Sequence, residues 1–313
     1  MMAGRKLINL ISPCFNEADN IDELYRRVSA VMGGLPQYDF EYLLIDNAST
    51  DGTLDKLRDI AERDPRVRVI VNTRNFGHLR SPYWGFLQTR GDATIYLVSD
   101  LQDPPELIPD FIAAWEQGFK LVLAVKPVSQ TNRLVHWLRK LYYRVLDSIS
   151  EVAIIKDTTG FGLYDRVVMD HIRQIHDPNP YVRGLICELG YPIKTIPFKQ
   201  PQRQRGLSKN NFYTLYDMAM LGIISHSVVP IRLAALVGFV TGFLSILVAL
   251  VFLVLKLTLW NAFPMGIAPI VIGMFFMFGV VLLFIGILGE YIASIHTYVR
   301  HRPIVVERER INF

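Results

Sequence analysis

The chain has 313 residues, 51% of them hydrophobic, and a formal net charge of +4. That length accommodates one large or two small domains, and a charge so near balance gives no basis for a nucleic-acid partner. Two cysteines, Cys14 and Cys187, are too few for a disulfide framework and lack metal-ligand spacing, so reduced, unpaired thiols are expected.

The apolar run at residues 7–11 is too short for the core of a signal peptide, which leaves the large N-terminal part expected in the cytosol. From residue 5 to about 125, short apolar runs alternate with amphipathic segments. Residues 7–12, 42–46, 67–72, 94–99 and 121–125 read as strands. Ile21, Leu24, Val28 and Val31, then Leu54, Leu57 and Ile60, then Leu107, Ile108, Phe111 and Ile112 recur at helical spacing between them. Such alternation predicts an α/β fold with a largely parallel, helix-covered sheet.

Polar residues follow the strands: Asn16 and Glu17 the first, Asp46 and Asn47 the second, Asn75 the third and Asp100 the fourth. Open α/β sheets bind ligands at that edge, so a cleft is expected there. Asp100 ends an apolar run, and a carboxylate so placed suits a divalent cation held against a nucleotide diphosphate. Asp103, before Pro104-Pro105, reads instead as a helix cap. His78 reads as a partly exposed loop histidine.

Residues 127–165 begin with a helical apolar face and are broken by Asp157-Thr158-Thr159-Gly160-Phe161-Gly162, whose glycines suggest close backbone approach. Lys199, Arg203, Arg205 and Lys209 form a basic cluster suited to a phosphate at a membrane surface. Residues 211–230 are expected to form an amphipathic juxtamembrane helix. Residues 233–255 and 265–289 are charge-free runs of 23 and 25 residues, each longer than the ~20 needed to cross a bilayer core. They predict a transmembrane hairpin within 231–292, with a C-terminal tail at 293–313. Arg232, Arg300 and Arg302 on its outer flanks put both termini in the cytosol by the positive-inside rule.

Four segments in order carry a resemblance. Ser12-Pro13-Cys14-Phe15-Asn16-Glu17, Ile45 through Thr53, Asp100-Leu101-Gln102-Asp103-Pro104-Pro105-Glu106 and Arg203 through Lys209 are similar to motifs of the family-2 glycosyltransferases. Within them, the sequence resembles the polyprenyl-phosphate glycosyltransferases, such as dolichyl-phosphate mannose synthases and undecaprenyl-phosphate sugar transferases. The resemblance implies a GT-A domain over 1–210. Pro13, Phe15, Glu17 and Asp46 would line its nucleotide pocket, with Asn47, Ser99, Gln102, Lys126 and Lys209 completing the donor site.

It also implies Mg²⁺ or Mn²⁺ on Asp100 and Gln102, catalytic roles for Asp100, Asp157 and Arg203, and a homo-oligomer, a tetramer by family likeness. Two positions depart from the pattern. Asn47 stands where the family usually has Asp, and Val98 where it has the first carboxylate of its metal motif. Coordination then rests on Asp100, Gln102 and the donor phosphates.

The implied activity is inverting transfer of one sugar from a nucleotide donor, UDP-linked by expectation, to undecaprenyl phosphate at the inner membrane, in cell-envelope biosynthesis. GDP-mannose-dependent transfer to a polyprenyl phosphate stays open as a second reading. A non-catalytic scaffold or flippase partner with a degenerate transferase domain is the third, and Val98 is its support.

Overall fold

The computed structural model describes residues 4–126, 155, 158–175, 177, 180–200, 229–258, 267–300 and 302–313. The chain divides into two compact units, Met1–Asp147, Val152–Leu215 and His301–Phe313 in the first, Ser148–Glu151 and Tyr216–Arg300 in the second.

Alternating apolar runs build the first unit. In chain order come β1 (Lys6–Cys14), α1 (Ile21–Gly33), β2 (Tyr38–Asp46), α2 (Thr53–Arg63), β3 (Val67–Asn72), α3 (Gly77–Gln88) and β4 (Ala93–Tyr96). A 3₁₀ turn at Pro105–Leu107, α4 (Ile108–Glu116), β5 (Leu121–Val125), β6 (Thr158–Asp165), α5 (Arg166–Gln174), α6 (Val182–Glu188) and β7 (Ile193–Pro197) follow. The second unit contributes α7 (Val229–Thr258) and α8 (Ile267–Val299) before β8 (Glu307–Ile311) returns to the first.

Among the described residues these strands form one eight-stranded sheet in the order β7-β5-β6-β4-β1-β2-β3-β8. Pairing is parallel except where β6 meets β4 and β5, and where β8 meets β3. The sheet is thus mixed and mostly parallel. Side-chain alternation divides the core between its two faces. Ile8, Leu10, Leu44, Val69 and Val71 pack with α1, α2 and α4, whereas Ile11, Leu43, Ile45 and Ile70 pack with α3, α5 and α6. Coverage on both faces explains why the central strands read as continuous apolar runs rather than as alternating ones.

Three late elements differ from the sequence reading. The glycine-containing break at 158–165 is a strand, and its close approach is real: a Cβ at Gly162 would lie 2.1 Å from the Val122 carbonyl oxygen. The C-terminal tail supplies β8, which pairs antiparallel with β3. β4 ends at Tyr96, earlier than the expected strand, so Asp100 sits in the loop beyond it.

In the second unit α7 is 30 residues long and α8 33. Among the described residues, one segment, Phe276–Val299 of α8, is long and apolar enough to cross a membrane, with a mean hydropathy of 2.2 and none of its window buried. The expected juxtamembrane helix at 211–230 lies outside the described residues apart from Val229 and Pro230, which open α7.

Candidate active site

Six parallel strands present their carboxyl ends at one edge of the sheet, and the loops there are tied to one another. After β1, the Asn16 Oδ1 accepts from Thr50 N at 2.8 Å, and Asn16 N donates to Ser49 Oγ at 3.0 Å. Glu17 N donates to Thr53 Oγ1 at 2.9 Å. Ser99 Oγ donates to the Pro13 carbonyl at 2.8 Å, joining the loop after β4 to that after β1. Asn16, Ala48 and Leu101, one in each of these loops, have φ of 57°, 60° and 60°. Non-glycine residues enter this left-handed region at a cost and concentrate where a loop must hold a ligand-binding shape.

Between the loops lies a cavity of about 420 Å³. Pro13, Phe15, Glu17, Asn47, Ser99 and Asp100 line it, six of the residues expected from sequence at the donor site. Asn75, Gly77, His78 and Pro82 close it from the start of α3, and Tyr96 and Val98 from the end of β4. Pro82, inside α3, has no N–H to give the His78 carbonyl beside the cavity.

Asp46 is placed differently. It is fully buried and accepts from Ser49 N with both oxygens, at 3.3 and 3.2 Å. Burial pushes its carboxyl above the usual aspartate range, against the Ser49 hydrogen bonds and the positive charge of Arg308. Asn47 spends its whole amide on the cavity wall. Its Nδ2 donates to Asn75 Oδ1 at 2.9 Å and to Gly77 O at 3.3 Å, and its Oδ1 accepts from Asn72 Nδ2 at 3.0 Å and Phe76 N at 2.9 Å. An aspartate has no N–H for the first two, which is a physical reason for Asn at this position.

Asp103 does not cap a helix. The α4 N-cap is Leu107, without a side-chain cap bond. Asp103 is instead buried, accepting from Val98 N at 3.3 Å and Thr159 Oγ1 at 3.5 Å, and burial pushes its carboxyl up to about 7. Its role is to fold the loop that presents Asp100. Asp100 Oδ1 accepts from Gln102 N at 3.1 Å.

Gln102 is half-buried beside the cavity loop, and Lys126, directly after β5, lies near enough for its charge to act on Asp103. Asp157, Arg203 and Lys209 lie outside the described residues. Among the described residues, no three His, Cys, Asp or Glu side chains gather as a metal cage. One carboxylate with a neighbouring amide fits Mg²⁺ or Mn²⁺ as an ion shared with diphosphate oxygens and water, the arrangement such hard cations commonly adopt.

These loops and the part of the sheet from within β1 to β6 fall within the family match. The model for glycosyl transferase family 2 covers residues 10–173, more than half of the chain. The chain belongs to glycosyl transferase family 2. This family-2 glycosyltransferase is 30% identical over 298 residues to an uncharacterized glycosyltransferase of Synechocystis sp. (strain ATCC 27184 / PCC 6803 / Kazusa), spanning 95% of this chain and 93% of that protein. It is 31% identical over 305 residues to the bactoprenol glucosyl transferase of Shigella phage SfV, spanning 97% and 99%. Among solved structures, mannosyl-3-phosphoglycerate synthase from Rubrobacter xylanophilus aligns with 69% of this chain and 71% of that one, at 17% identity and a TM-score of 0.47.

Sequence reasoning assigned His78 to a loop, yet it stands in the first turn of α3 on the cavity wall. Burial, and then the charge of Arg183, hold its imidazole below the ordinary histidine range, so it is neutral at pH 7. A group whose folded pKa is depressed contributes stability that is present above the unfolded value and lost as pH falls through the folded one. The melting temperature is therefore expected to decline on acidification below the usual histidine range, and His78→Gln to remove part of that slope. Equal slopes in the two proteins would refute the assignment.

Proposed function

We propose that this glycosyltransferase moves one sugar, with inversion, from a UDP-linked donor to undecaprenyl phosphate at the cytoplasmic face of the membrane, giving a polyprenyl-monophosphate sugar. The observation that carries this reading is the end-to-end likeness to a bactoprenol glucosyl transferase, 97% of this chain and 99% of that one, which includes the apolar helices as well as the cleft domain.

Connectivity supports a hairpin. β8 hydrogen-bonds to β3, so the chain must come back to the side of the membrane from which it left. An even number of crossings satisfies this. With Phe276–Val299 as one span, the 30-residue α7 is the natural other, which makes the protein multi-pass with both termini cytosolic.

The chemistry asks little of a base. A phosphate monoester has its second ionisation near ~6, so the acceptor oxygen is already an anion at neutral pH. That oxygen bonds to the anomeric carbon as the carbon–oxygen bond to the diphosphate breaks, and the nucleoside diphosphate leaves with the electron pair. Asp100 and Gln102 would hold Mg²⁺ or Mn²⁺, which supplies neutralising charge for the departing diphosphate. Pro13, Phe15, Glu17 and Ser99 shape the donor pocket, and Asn47 fixes its far wall. Lys126, Arg203 and Lys209 serve the phosphates, and Asp157 positions the sugar or the acceptor.

The test is transfer of radiolabelled sugar from a panel of UDP- and GDP-sugars to undecaprenyl phosphate by the full chain in membranes, with Mg²⁺ or Mn²⁺. A lipid-linked product from a UDP-sugar is expected. Product from GDP-mannose alone would replace the donor, and inserted, folded protein that makes no lipid product from any donor would sink the reading.

A further inference from the structure

Because β6 runs antiparallel to β4 and β5, its first residues lie at the edge where those strands end: Thr158 pairs with Val125, and Gly162 with Tyr96. Arg183, in the first turn of α6, is docked there. Its Nη1 donates to the Thr158 carbonyl at 3.0 Å, and its guanidinium lies 5.0 Å from the centre of the Tyr181 ring. This contact leaves other guanidinium N–H groups in a half-buried position at the cleft edge.

The positive charge of Arg183 also acts on two cavity-lining groups. It lowers the basicity of His78 and favours ionisation of the buried Tyr96 phenol. The cation is therefore within electrostatic reach of the part of the cavity formed by the end of β4 and the start of α3. Asp46 and β3 lie across β1 from β4 and β6 in the strand order, so Arg183 is docked on the β6 side of the sheet.

We infer that Arg183 binds a phosphate group in the reaction complex, that of the lipid acceptor, through the guanidinium N–H groups that do not hold Thr158. The inference rests on the transfer reaction proposed above. Two anionic partners must meet in this cleft, and an arginine held by a backbone carbonyl and an aromatic face is a preorganised cation for one of them. A planar fork of donors matches phosphate oxygens better than an ammonium does.

The experiment uses the full chain in nanodiscs, as wild type, Arg183→Gln and Arg183→Lys. Thermal stabilisation is read with undecaprenyl phosphate, with undecaprenol as the phosphate-free control, and separately with UDP plus Mn²⁺. The expected result is a wild-type shift with undecaprenyl phosphate and none with undecaprenol, lost in Arg183→Gln, partly kept in Arg183→Lys, with the UDP–Mn²⁺ shift unchanged in all three. In the transfer assay, KM for undecaprenyl phosphate should rise tenfold or more in Arg183→Gln.

Loss of the UDP–Mn²⁺ shift with the lipid shift intact would move the guanidinium to the donor diphosphate and overturn the acceptor assignment. A lower melting temperature with both ligand shifts intact would reduce Arg183 to a tether between α6 and β6. Because the lipid shift is read without turnover, it separates failure of this inference from failure of the proposed reaction.

Discussion

Asp100→Asn is expected to cut sugar transfer by about 10³-fold without unfolding the protein, the scale seen when one preorganised charge-stabilising group is removed from an active site. The size follows from how little else is there. Val98, on the cavity wall, stands where the family resemblance implies the first carboxylate of the metal motif, and among the described residues no cage of three acidic, histidine or cysteine ligands is available to compensate.

The fold should survive because the Asp100 carboxylate bonds within its own turn, accepting from Gln102 N. Gln102→Ala should be milder, about tenfold, since an amide is the weaker ligand for a hard cation. Transfer by Asp100→Asn within tenfold of wild type, at saturating Mn²⁺, would remove Asp100 from the mechanism. Loss of the folded state, read by circular dichroism, would instead give it a structural role like that of Asp103.

That contrast shows what the sequence could and could not carry. The central strands were legible because β1, β2, β3 and β5 are buried on both faces and spell out apolar runs. β7 and β8 were not, and these are the two edges of the sheet. Ile193–Pro197 is half-exposed, and Glu307–Ile311 reads Glu-Arg-Glu-Arg-Ile, a charged pattern that blunts an edge against further pairing and looks like a tail. β6 was hidden by Gly160 and Gly162, the second of which is required by the backbone it touches.

In the site, the motif order located Glu17, Asn47 and Asp100 on one cavity. It did not distinguish these from Asp46, and it made Asp103 a helix cap, whereas both acids fold inward and hold backbone N–H groups of their loops. Residue type and spacing are the same for a ligand and for a buried loop staple, and the difference is which way the turn faces. Arg183 gave no signal at all, because a single arginine in a short amphipathic segment is ordinary until β6 brings it to the cleft edge.

Truncation before Glu307 is expected to lower the melting temperature of the first unit on the order of 10 °C, equivalent to about 3 kcal/mol or more for a unit of this size. Little of this comes from the ion pairs that decorate β8. Arg58–Glu309 at 2.7 Å and Arg310–Glu307 at 2.5 Å are both partly solvated, and such pairs contribute little each, so Glu309→Gln alone should be nearly silent.

The larger loss is the backbone ladder to Val69, Ile70, Val71 and Asn72, together with the packing of Ile311 against the core. The Trp84 indole would lose Glu307, and Asn312 Nδ2 would no longer reach the Ala61 and Val67 carbonyls at 2.6 and 2.9 Å. Removing the strand leaves β3 as a bare edge of Val and Ile, a template for association, so the truncated protein should also aggregate.

The site should feel it too. In the β3–β8 ladder, Val71 pairs with Glu309 and Asn72 with Glu307, which makes Arg308 an extra residue on its strand. A bulge of this kind re-aims a side chain. The positive charge of Arg308 reaches Asp46 at the end of β2, whose ionisation it favours and whose oxygens hold Ser49 in the cleft loop. Hydrogen exchange read on β3 and on residues 46–49 should therefore quicken together in the truncated chain. Unchanged protection at both, with an unchanged melting temperature, would mean that the first unit is complete without the segment that follows α8.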